Sequence, residues 1–305
     1  MSLAATPPAW SVKLARLGRD IKLAHTVFAL PFAVLGACLA AGWAGRRVTR
    51  WEFVLVLAAM VFARTMAMAV NRWADADLDA ANPRTAGRAI PRGALPRRFV
   101  LGAAVACGGG LIATAAGFWL WGDNPWPVIL SPIVIAVLCG YSFAKRVTSL
   151  SHVLLGLALG LSPVAAAVAI EPGYLAAPAV WLLLGVVVCW VAGFDVIYAL
   201  QDVGFDRDAG LFSLPSRLGE ARAMIVSRTL HAAAAVGLIA LATVSPQLHA
   251  VFAAGVTVAG GLLIVEHVLV WRPEKRRIAP AFFSANGVIS VVLGVTGVID
   301  VLLRL

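Results

Sequence analysis

The chain has 305 residues, of which 61% are hydrophobic and 13% are charged. Soluble globular domains carry about 25% charged residues, so this composition excludes that class and predicts an integral membrane protein. The formal net charge of +10 is spread between apolar runs and does not form one basic face. We therefore expect the basic residues to have the lipid bilayer, and no nucleic acid, as their partner.

Apolar runs of about 20 residues, each long enough to cross a bilayer as a helix, follow one another along the chain. They cover residues 25–44, 51–70, 99–121, 126–143, 153–170, 177–198, 224–244, 249–271 and 282–302. No linker rich in Ser or Gly separates them. The pattern predicts an all-α membrane protein with nine transmembrane helices in one bundle, and one domain over residues 1–305.

The positions of the basic residues predict the orientation of this bundle. Most of the 25 Lys and Arg residues belong to the N-terminal segment or to the segments around the second, fourth, sixth and eighth loops. The opposite side carries only Arg46, Arg47, Arg50 and Arg304. Because basic loops stay in the cytoplasm, we expect a multi-pass protein of the cell inner (plasma) membrane with a cytoplasmic N-terminus.

A cluster of acidic side chains follows the second apolar run, in the stretch NRWADADLDAANPRTAGRAIPRG. Asn71, Asp75 and Asp79 stand at positions i, i+4 and i+8. A continuing helix would therefore place them on one face. Asp77 lies two residues from each neighbouring Asp and is expected to face away.

A second acidic cluster follows the sixth run, in the stretch FDVIYALQDVGFDRDAG. Asp202 and Asp206 repeat the i, i+4 spacing. Asp195 stands seven residues before Asp202 and Tyr198 stands four before it, so both belong to nearly the same helix face. The two clusters occupy loops that the charge distribution places on the same side of the membrane.

Carboxylates that converge on one point repel one another unless a cation lies between them. Asn and Asp supply the hard oxygen ligands that Mg²⁺ prefers, and Mg²⁺ in proteins is commonly shared with a substrate phosphate. Basic side chains in the same loops suit that phosphate. They are Arg84, Arg88, Arg92, Lys145, Arg146, Arg207 and Arg217. The pattern therefore predicts a cytoplasmic site for Mg²⁺ and a diphosphate.

The carboxylates also allow other interpretations. A lone D-x-x-x-D at a helix end is most often a solvated cap, but two such clusters trailed by arginines favour metal binding. A secondary transporter of an anionic solute would also place carboxylates in a membrane, although acids clustered at one face beside phosphate-binding groups argue against transport. A lipid-headgroup transferase shares the Mg²⁺ chemistry but should carry a D-G-x-x-D-G arrangement, which the sequence lacks.

The motifs and their order resemble those of the UbiA-type intramembrane aromatic prenyltransferases. The first motif is N-x-x-x-D-x-x-x-D with D-A-x-N-P-R-T-A-G-R behind it, and Y-x-x-x-K-R-x-T follows the fourth run. The second motif is D-x-x-Y-A-x-Q-D-x-x-x-D-x-x-x-G-L-x-S-x-P after the sixth run. The resemblance extends from the stretch that begins at His25 to AFFSANG in the ninth run.

This resemblance implies nine transmembrane helices around a central cavity, with the two acidic motifs facing each other. Asn71, Asp75 and Asp79 match the first metal-binding motif of the family, and Asp202 and Asp206 match the second. Both motifs would hold Mg²⁺ and the diphosphate of a polyprenyl donor.

Further positions match family residues around the substrates. Arg88 and Lys145 match basic residues that contact the diphosphate, and Asp195 and Tyr198 match a polar pair before the second motif. The expected catalytic residues are Asp195, Tyr198, Lys145 and Arg88. The expected substrate-binding residues are Asn71, Arg84, Arg88, Lys145, Arg146 and Asn286.

The implied reaction transfers the prenyl group to an aromatic ring carbon, as Mg²⁺ and the basic groups stabilise the departing diphosphate. Two aromatic carboxylate acceptors stay open, a hydroxybenzoate of ubiquinone biosynthesis and a dihydroxynaphthoate of menaquinone biosynthesis. Phe212 replaces a His expected in many members of this branch, so the sequence does not separate the two.

Isolated polar residues in the apolar runs complete the sequence-based predictions. Asn286 lies where lipid would penalise an amide, so we expect it to join helices or to line the cavity. The five histidines lack metal-ligand spacing and are interpreted as interfacial or helix-packing residues. His25 is the exception, because its place in the family-like stretch would allow contact with substrate.

Overall fold

The computed structural model describes residues 10–21, 28–270 and 279–305. Within these ranges the chain forms helices and no β-strand. The α-helices are α1 Trp10–Asp20, α2 Leu30–Trp43, α3 Arg50–Ala74, α4 Ala76–Ala81, α5 Arg97–Gly122, α6 Trp126–Ala144, α7 Ser151–Ile170, α8 Pro178–Ala199, α9 Val203–Asp208, α10 Leu214–Leu218, α11 Glu220–Val244, α12 Ala250–Val270 and α13 Ala279–Leu302. Two short 3₁₀ helices, Pro172–Ala176 and Leu200–Asp202, connect them.

Eight of the described helices are long and apolar enough to cross a membrane, and they coincide with eight of the nine predicted runs. The remaining run, 25–44, contains α2, which has 14 residues and is therefore about 21 Å long. Residues 25–27, including His25, lie outside the described ranges. The prediction of an all-α membrane protein is confirmed, with eight membrane-length helices and one shorter apolar helix in the described part of the chain.

The short helices gather at one end of the bundle, where α3, α6 and α8 end. We call this end the site face; it consists of segments 75–96, 145–150 and 200–219. The segments are joined there, because the Phe212 amide donates a hydrogen bond of 2.8 Å to the Lys145 carbonyl. α1 is joined to the same end, since Asp20 accepts a hydrogen bond of 2.8 Å from the Ala89 amide.

At the opposite end, local sequence fixes where α3 begins. Thr49 caps the helix, and the Glu52 carboxylate accepts a hydrogen bond of 2.7 Å from the Thr49 amide, which completes a capping box. Arg46 pairs with Glu52 at 2.9 Å and donates to the Ile170 carbonyl at 2.8 Å. α3 is thereby tied to the end of α7, and its other end carries the first acidic motif.

Small residues bring α2, α7 and α8 into close contact in the middle of the bundle. A side chain at Gly36 would collide with the backbone of Pro163, and one at Gly156 would lie 2.5 Å from the Val188 carbonyl oxygen. Glycine allows such backbone approach between membrane helices, which are held together largely by van der Waals packing. This packing fixes the positions of α7 and α8 relative to each other and to α2.

The outer surfaces of the long helices are apolar. Leu120, Ile133, Val236 and Ile264 each expose more than half of their surface. Hydrocarbon accepts such side chains, whereas polar groups must find partners inside the bundle. The protein is therefore a multi-pass membrane protein whose polar residues gather at the site face and between the helices.

Candidate active site

A cavity of about 560 Å³ opens at the site face. Its walls come from α3, α6, α7 and α8 and from the segments that follow α3 and α8. Ten of the twelve site residues predicted from the sequence line it. They are Asn71, Asp75, Asp79, Arg84, Arg88, Lys145, Asp195, Tyr198, Asp202 and Asp206.

The first acidic motif spans the junction between α3 and α4. The helix is interrupted only at Asp75, whose φ of −88° and ψ of 4° leave the helical range. Hydrogen bonds from the Asp75 amide to the Asn71 carbonyl (2.9 Å) and from the Asp79 amide to the Asp75 carbonyl (2.7 Å) keep the helical direction. All three side chains consequently face the cavity, while the Asp77 side chain is 85% exposed and faces away.

Asp75 is held by two cations from the segment after α6. Its carboxylate accepts hydrogen bonds from Lys145 Nζ (2.8 Å) and from Arg146 Nη2 (2.9 Å), and a third from Asn71 Nδ2 (3.2 Å). The side chain is only 3% exposed. A buried carboxylate requires such pairing, because an isolated charge loses its hydration.

Asp79 is paired with the segment that follows α4. Arg88 Nη1 lies 2.6 Å and 2.7 Å from the two carboxylate oxygens of Asp79. The carboxylate is buried, and the Arg88 guanidinium is partly exposed at the cavity mouth. The first motif therefore presents carboxylates that are each compensated by a basic residue predicted to bind phosphate.

The second acidic motif is joined to the first across the cavity. Arg84, which follows the first motif, pairs with both carboxylate oxygens of Asp202, and its Nε lies 2.8 Å from Oδ1. Asn82 Nδ2 donates a further hydrogen bond of 3.1 Å to Asp202. Arg84 Nη1 also donates to the Tyr198 hydroxyl at 2.9 Å, so one guanidinium connects both motifs.

The protonation state of Arg84 is secured by this arrangement. Burial alone would lower the pKa of the guanidinium, but its hydrogen bonds with Asp202 and Tyr198 and the charge of Asp202 raise that pKa above its ordinary value. Arg84 is therefore a permanent cation at the cavity mouth, which suits it to a phosphate group.

The donor set at the mouth fits Mg²⁺ with a diphosphate. Among the described residues, no three His, Cys, Asp or Glu side chains form a complete metal cage. Mg²⁺ does not require one, because it keeps several waters and is held by one or two carboxylates together with substrate phosphates. The carboxylate oxygens of both motifs are suitable ligands for the metal, and the three neighbouring cations are suitable partners for phosphate oxygens.

Two predicted substrate-binding residues lie away from the cavity lining. Arg146 stands behind Asp75, where its Nη2 donates to the Ala74 carbonyl at 2.8 Å. Asn286 is buried between helices: its Oδ1 accepts from Trp190 Nε1 (2.8 Å) and its Nδ2 donates to Glu266 (3.3 Å). The first therefore supports the motif from outside, and the second joins α8, α12 and α13.

Arg64 is a cavity residue that the sequence analysis did not identify. It lies within α3 and lines the cavity with Met68 and Tyr141. Its Nε is buried without a hydrogen-bond partner among the described residues. The signal was present, because an arginine within an apolar run is costly unless it faces a bundle interior, and position 64 lies seven residues before Asn71 on the same helix face.

His152 is the second residue whose role the sequence did not reveal. The sequence interpreted it as an interfacial or helix-packing histidine; in the structure it is 3% exposed and also lines the cavity. Its Nδ1 lies 2.6 Å from Asp195 Oδ2. No spacing rule connects these residues, because they belong to different helices.

Away from the mouth, the cavity wall becomes apolar. It is formed by Leu155, Leu159, Val191 and Phe194, with Phe28 opposite. The rings of Phe28 and Phe194 are 6.0 Å apart, which is within the range of aromatic contact. Such a wall suits a hydrocarbon chain and excludes water.

Comparisons with known relatives agree with these features. The UbiA prenyltransferase family matches residues 29–288. The 4-hydroxybenzoate octaprenyltransferase of Photobacterium profundum is 28% identical over 233 residues, which is 76% of this chain and 78% of that protein. The enzyme of the same name from Yersinia pseudotuberculosis serotype IB is 28% identical over 250 residues, 80% of this chain and 82% of its own length.

Solved structures give the same result. A UbiA homolog from Aeropyrum pernix K1 is 33% identical, with a TM-score of 0.80 over 90% of this chain and 98% of that one. A UbiA homolog from Archaeoglobus fulgidus bound to DMAPP and Mg²⁺ shares the fold, with a TM-score of 0.69 at 20% identity over 95% of this chain and 99% of that one. The chain therefore belongs to the UbiA prenyltransferase family and is a membrane-embedded prenyltransferase.

Proposed function

We propose that the protein transfers a polyprenyl group, in a Mg²⁺-dependent reaction, from polyprenyl diphosphate to a ring carbon of an aromatic carboxylate. The acceptor would be a hydroxybenzoate or a dihydroxynaphthoate of quinone biosynthesis. The observation that carries this proposal is one cavity with paired carboxylates and cations at its mouth and apolar walls beyond. Family membership favours this transferase over the secondary transporter.

The mouth of the cavity would hold the diphosphate. Arg84, Arg88 and Lys145 would bind phosphate oxygens, and the carboxylates that they now pair with would bind Mg²⁺. Bound Mg²⁺ would neutralise part of the negative charge that develops on the departing diphosphate. The A. fulgidus homolog supports this arrangement, since it binds DMAPP and Mg²⁺.

The chemistry of the donor follows from this placement. The bond between C1 of the prenyl chain and the diphosphate oxygen breaks, and its electron pair leaves with the diphosphate. The three cations stabilise that charge, which is the main contribution that such a site can make. The apolar wall around Phe194 and Leu159 keeps water from the allylic cation until the ring attacks it.

Arg64 supports an acceptor that is an anion. Its guanidinium lines the cavity and forms no hydrogen bond or ion pair with the other described residues. A cation without an anionic partner is costly inside a membrane bundle, and a carboxylate is its natural partner because the guanidinium fork binds both oxygens. A carboxylate on the acceptor ring would satisfy Arg64 while the ring lies next to the prenyl chain.

Asp195 is the proposed acceptor of the proton that the ring loses. Its carboxylate lines the cavity wall on α8, and its side chain is 24% exposed. Tyr198, one turn later on α8, would hold Arg84 in place through its hydroxyl. The two residues thus serve the ring and the diphosphate, respectively.

The membrane orientation is part of the proposal. The site face carries seven basic residues, whereas the opposite side carries only Arg46, Arg47, Arg50 and Arg304; this asymmetry favours a cytoplasmic location for the site and the N-terminus. The protein would then lie in the inner (plasma) membrane and receive its soluble acceptor from the cytoplasm.

The test is an assay of purified protein in detergent with Mg²⁺ and radiolabelled geranyl diphosphate. 4-Hydroxybenzoate and 1,4-dihydroxy-6-naphthoate are offered separately, with phenol as the control that lacks a carboxylate. We expect prenylation of one carboxylate acceptor, none of phenol, and none when the metal is chelated. Equal prenylation of phenol would contradict the anionic acceptor, and product formation without metal would contradict the Mg²⁺ site.

A further inference from the structure

His152 forms hydrogen bonds with two parts of the site. It lies in the first turn of α7, nearly buried, and its ring is flanked by Asp195 of α8 and by Leu214 at the start of α10. The mechanism proposed above assigns His152 no role.

The hydrogen bonds of His152 determine its tautomer. The Leu214 amide donates to Nε2 at 3.2 Å. A backbone N–H can only donate, so Nε2 must be the unprotonated ring nitrogen. In the neutral ring the proton then resides on Nδ1, and Nδ1–H donates to Asp195 Oδ2 at 2.6 Å. His152 therefore acts as an uncharged donor to the carboxylate.

This bond restrains one oxygen of Asp195. Oδ2 is bound by His152, while Oδ1 forms no hydrogen bond with the described residues. Asp195 lines the cavity, so Oδ1, which has no hydrogen-bond partner within the described ranges, belongs to the group that would meet the acceptor. An uncharged donor orients a carboxylate without cancelling its charge, in contrast to the cations bound to Asp75 and Asp202.

The other side of the ring holds the segment that follows the second motif. Leu214 is the first residue of α10, and the amide of such a residue has no partner within its own helix. His152 supplies that partner. The same segment is bound to the Lys145 carbonyl through the Phe212 amide at 2.8 Å. The His152 ring therefore lies between Asp195, which would meet the acceptor, and the segment bound to Lys145, which would meet the diphosphate.

We propose that His152 is a positioning residue for Asp195 in the prenyl transfer. The inference rests on the proposed function. As the ring carbon forms its bond to C1 of the prenyl chain, the proton on that carbon passes to Oδ1 of Asp195, and the electron pair of the C–H bond returns to the ring. His152 holds Oδ2 throughout, so Oδ1 faces the carbon that loses the proton.

Two isosteric substitutions separate the two hydrogen bonds of the ring. His152→Asn places an amide donor near the position of Nδ1 and removes the acceptor for Leu214. His152→Gln places an acceptor near the position of Nε2 and removes the donor to Asp195. If positioning of Asp195 is the function, we expect His152→Gln to lower kcat by about 10- to 100-fold. We expect His152→Asn to retain kcat within about threefold.

The Michaelis constants distinguish positioning from a general loss of structure. In both variants the KM for geranyl diphosphate should stay within about twofold of the wild type, because the groups that bind diphosphate are unchanged. His249→Gln is the matched control, since His249 is exposed at the opposite end of the bundle. It should behave as the wild type.

Three results would overturn the inference. One is normal turnover by His152→Gln, and another is a loss in His152→Asn as large as that in His152→Gln, which would make the Leu214 contact the important one. If neither variant folds, Asp195→Asn replaces them, because asparagine keeps an acceptor for Nδ1–H. The third result that would overturn the inference is wild-type turnover by Asp195→Asn. Absence of product from the wild type with every acceptor would instead contradict the proposed function itself.

Discussion

The mouth of the cavity and its inner wall, the part of the lining around Arg64, differ in how their charged side chains are paired. At the mouth, Asp75, Asp79 and Asp202 each pair with a basic side chain. Further along α3, the Arg64 guanidinium has no hydrogen-bond or ion-pair partner among the described residues. Both regions lie in one cavity, so the difference reflects what each region has to receive.

The mouth, where each carboxylate has a basic partner, and Arg64, which has no such partner among the described residues, suit two different ligands. The mouth has nearly balanced charge, which suits metal and diphosphate arriving together. Arg64 has no anionic partner in the part of the chain that the structure describes, which suits a ligand that brings a negative charge. The comparison also predicts opposite consequences for folding, because removal of one member of a buried pair leaves a charge behind, whereas removal of a lone buried charge does not.

The largest expected effect comes from the carboxylates at the mouth. Asp79→Asn and Asp202→Asn should each lower kcat by at least about 100-fold, because each removes a charged ligand from the site that stabilises the departing diphosphate. Turnover of geranyl diphosphate in detergent measures this. Near-normal turnover of either variant would show that the mouth does not hold the metal.

A large but more selective effect is expected from the inner wall. Arg64→Gln should raise the KM for the carboxylate acceptor by about 10- to 100-fold, the range expected for a charge-assisted hydrogen bond. The KM for geranyl diphosphate should not change. A parallel rise in both constants would mean that Arg64 belongs to the diphosphate site and that the two regions are one.

The changes in the free energy of unfolding are smaller, and they differ in sign between the two regions. Asp75→Asn should lower the free energy of unfolding by about 1–3 kcal/mol, since Lys145 and Arg146 lose their anion. Arg64→Met should be neutral or stabilising, because it removes a charge that has no ion-pair partner among the described residues and keeps the apolar stem of the side chain. Thermal melts in the same detergent compare the two, and a stability loss in Arg64→Met would reveal a structural partner for Arg64.

The smallest effect is expected outside both regions. Asp77 lies between the motif residues in sequence, but its side chain is 85% exposed and pairs with the exposed Arg97. Exposed pairs contribute little, so Asp77→Ala should keep turnover within about twofold of the wild type. A loss comparable with that of Asp79→Asn would contradict the helix face on which the motif is built.

The features that the sequence predicted well are those governed by local periodicity. Length and hydropathy located the membrane helices, and the i, i+4 spacing placed Asn71, Asp75 and Asp79 on one face and Asp77 on the other. The interruption at Asp75 was not predicted, yet it does not alter the faces, because the backbone hydrogen bonds on both sides of it stay helical.

The features that escaped prediction depend on contacts between distant helices. His152 meets Asp195 because α7 and α8 pack closely through Gly156, and no sequence pattern contains that distance. Asn286 is a polar residue in an apolar run whether it faces a cavity or, as here, a buried Trp190. Arg64 differs from these, since its cost within an apolar run was visible in the sequence.

The bridge from Arg84 to Asp202 has a thermodynamic consequence. A phosphate that takes Arg84 releases the Asp202 carboxylate, and a metal ion that takes Asp202 releases Arg84. Each ligand thereby removes a competitor of the other, so their binding should show positive cooperativity. By linkage, the factor by which Mg²⁺ tightens diphosphate binding must equal the factor by which diphosphate tightens Mg²⁺ binding. At low concentrations, occupancy of the protein should then follow the product of the two concentrations.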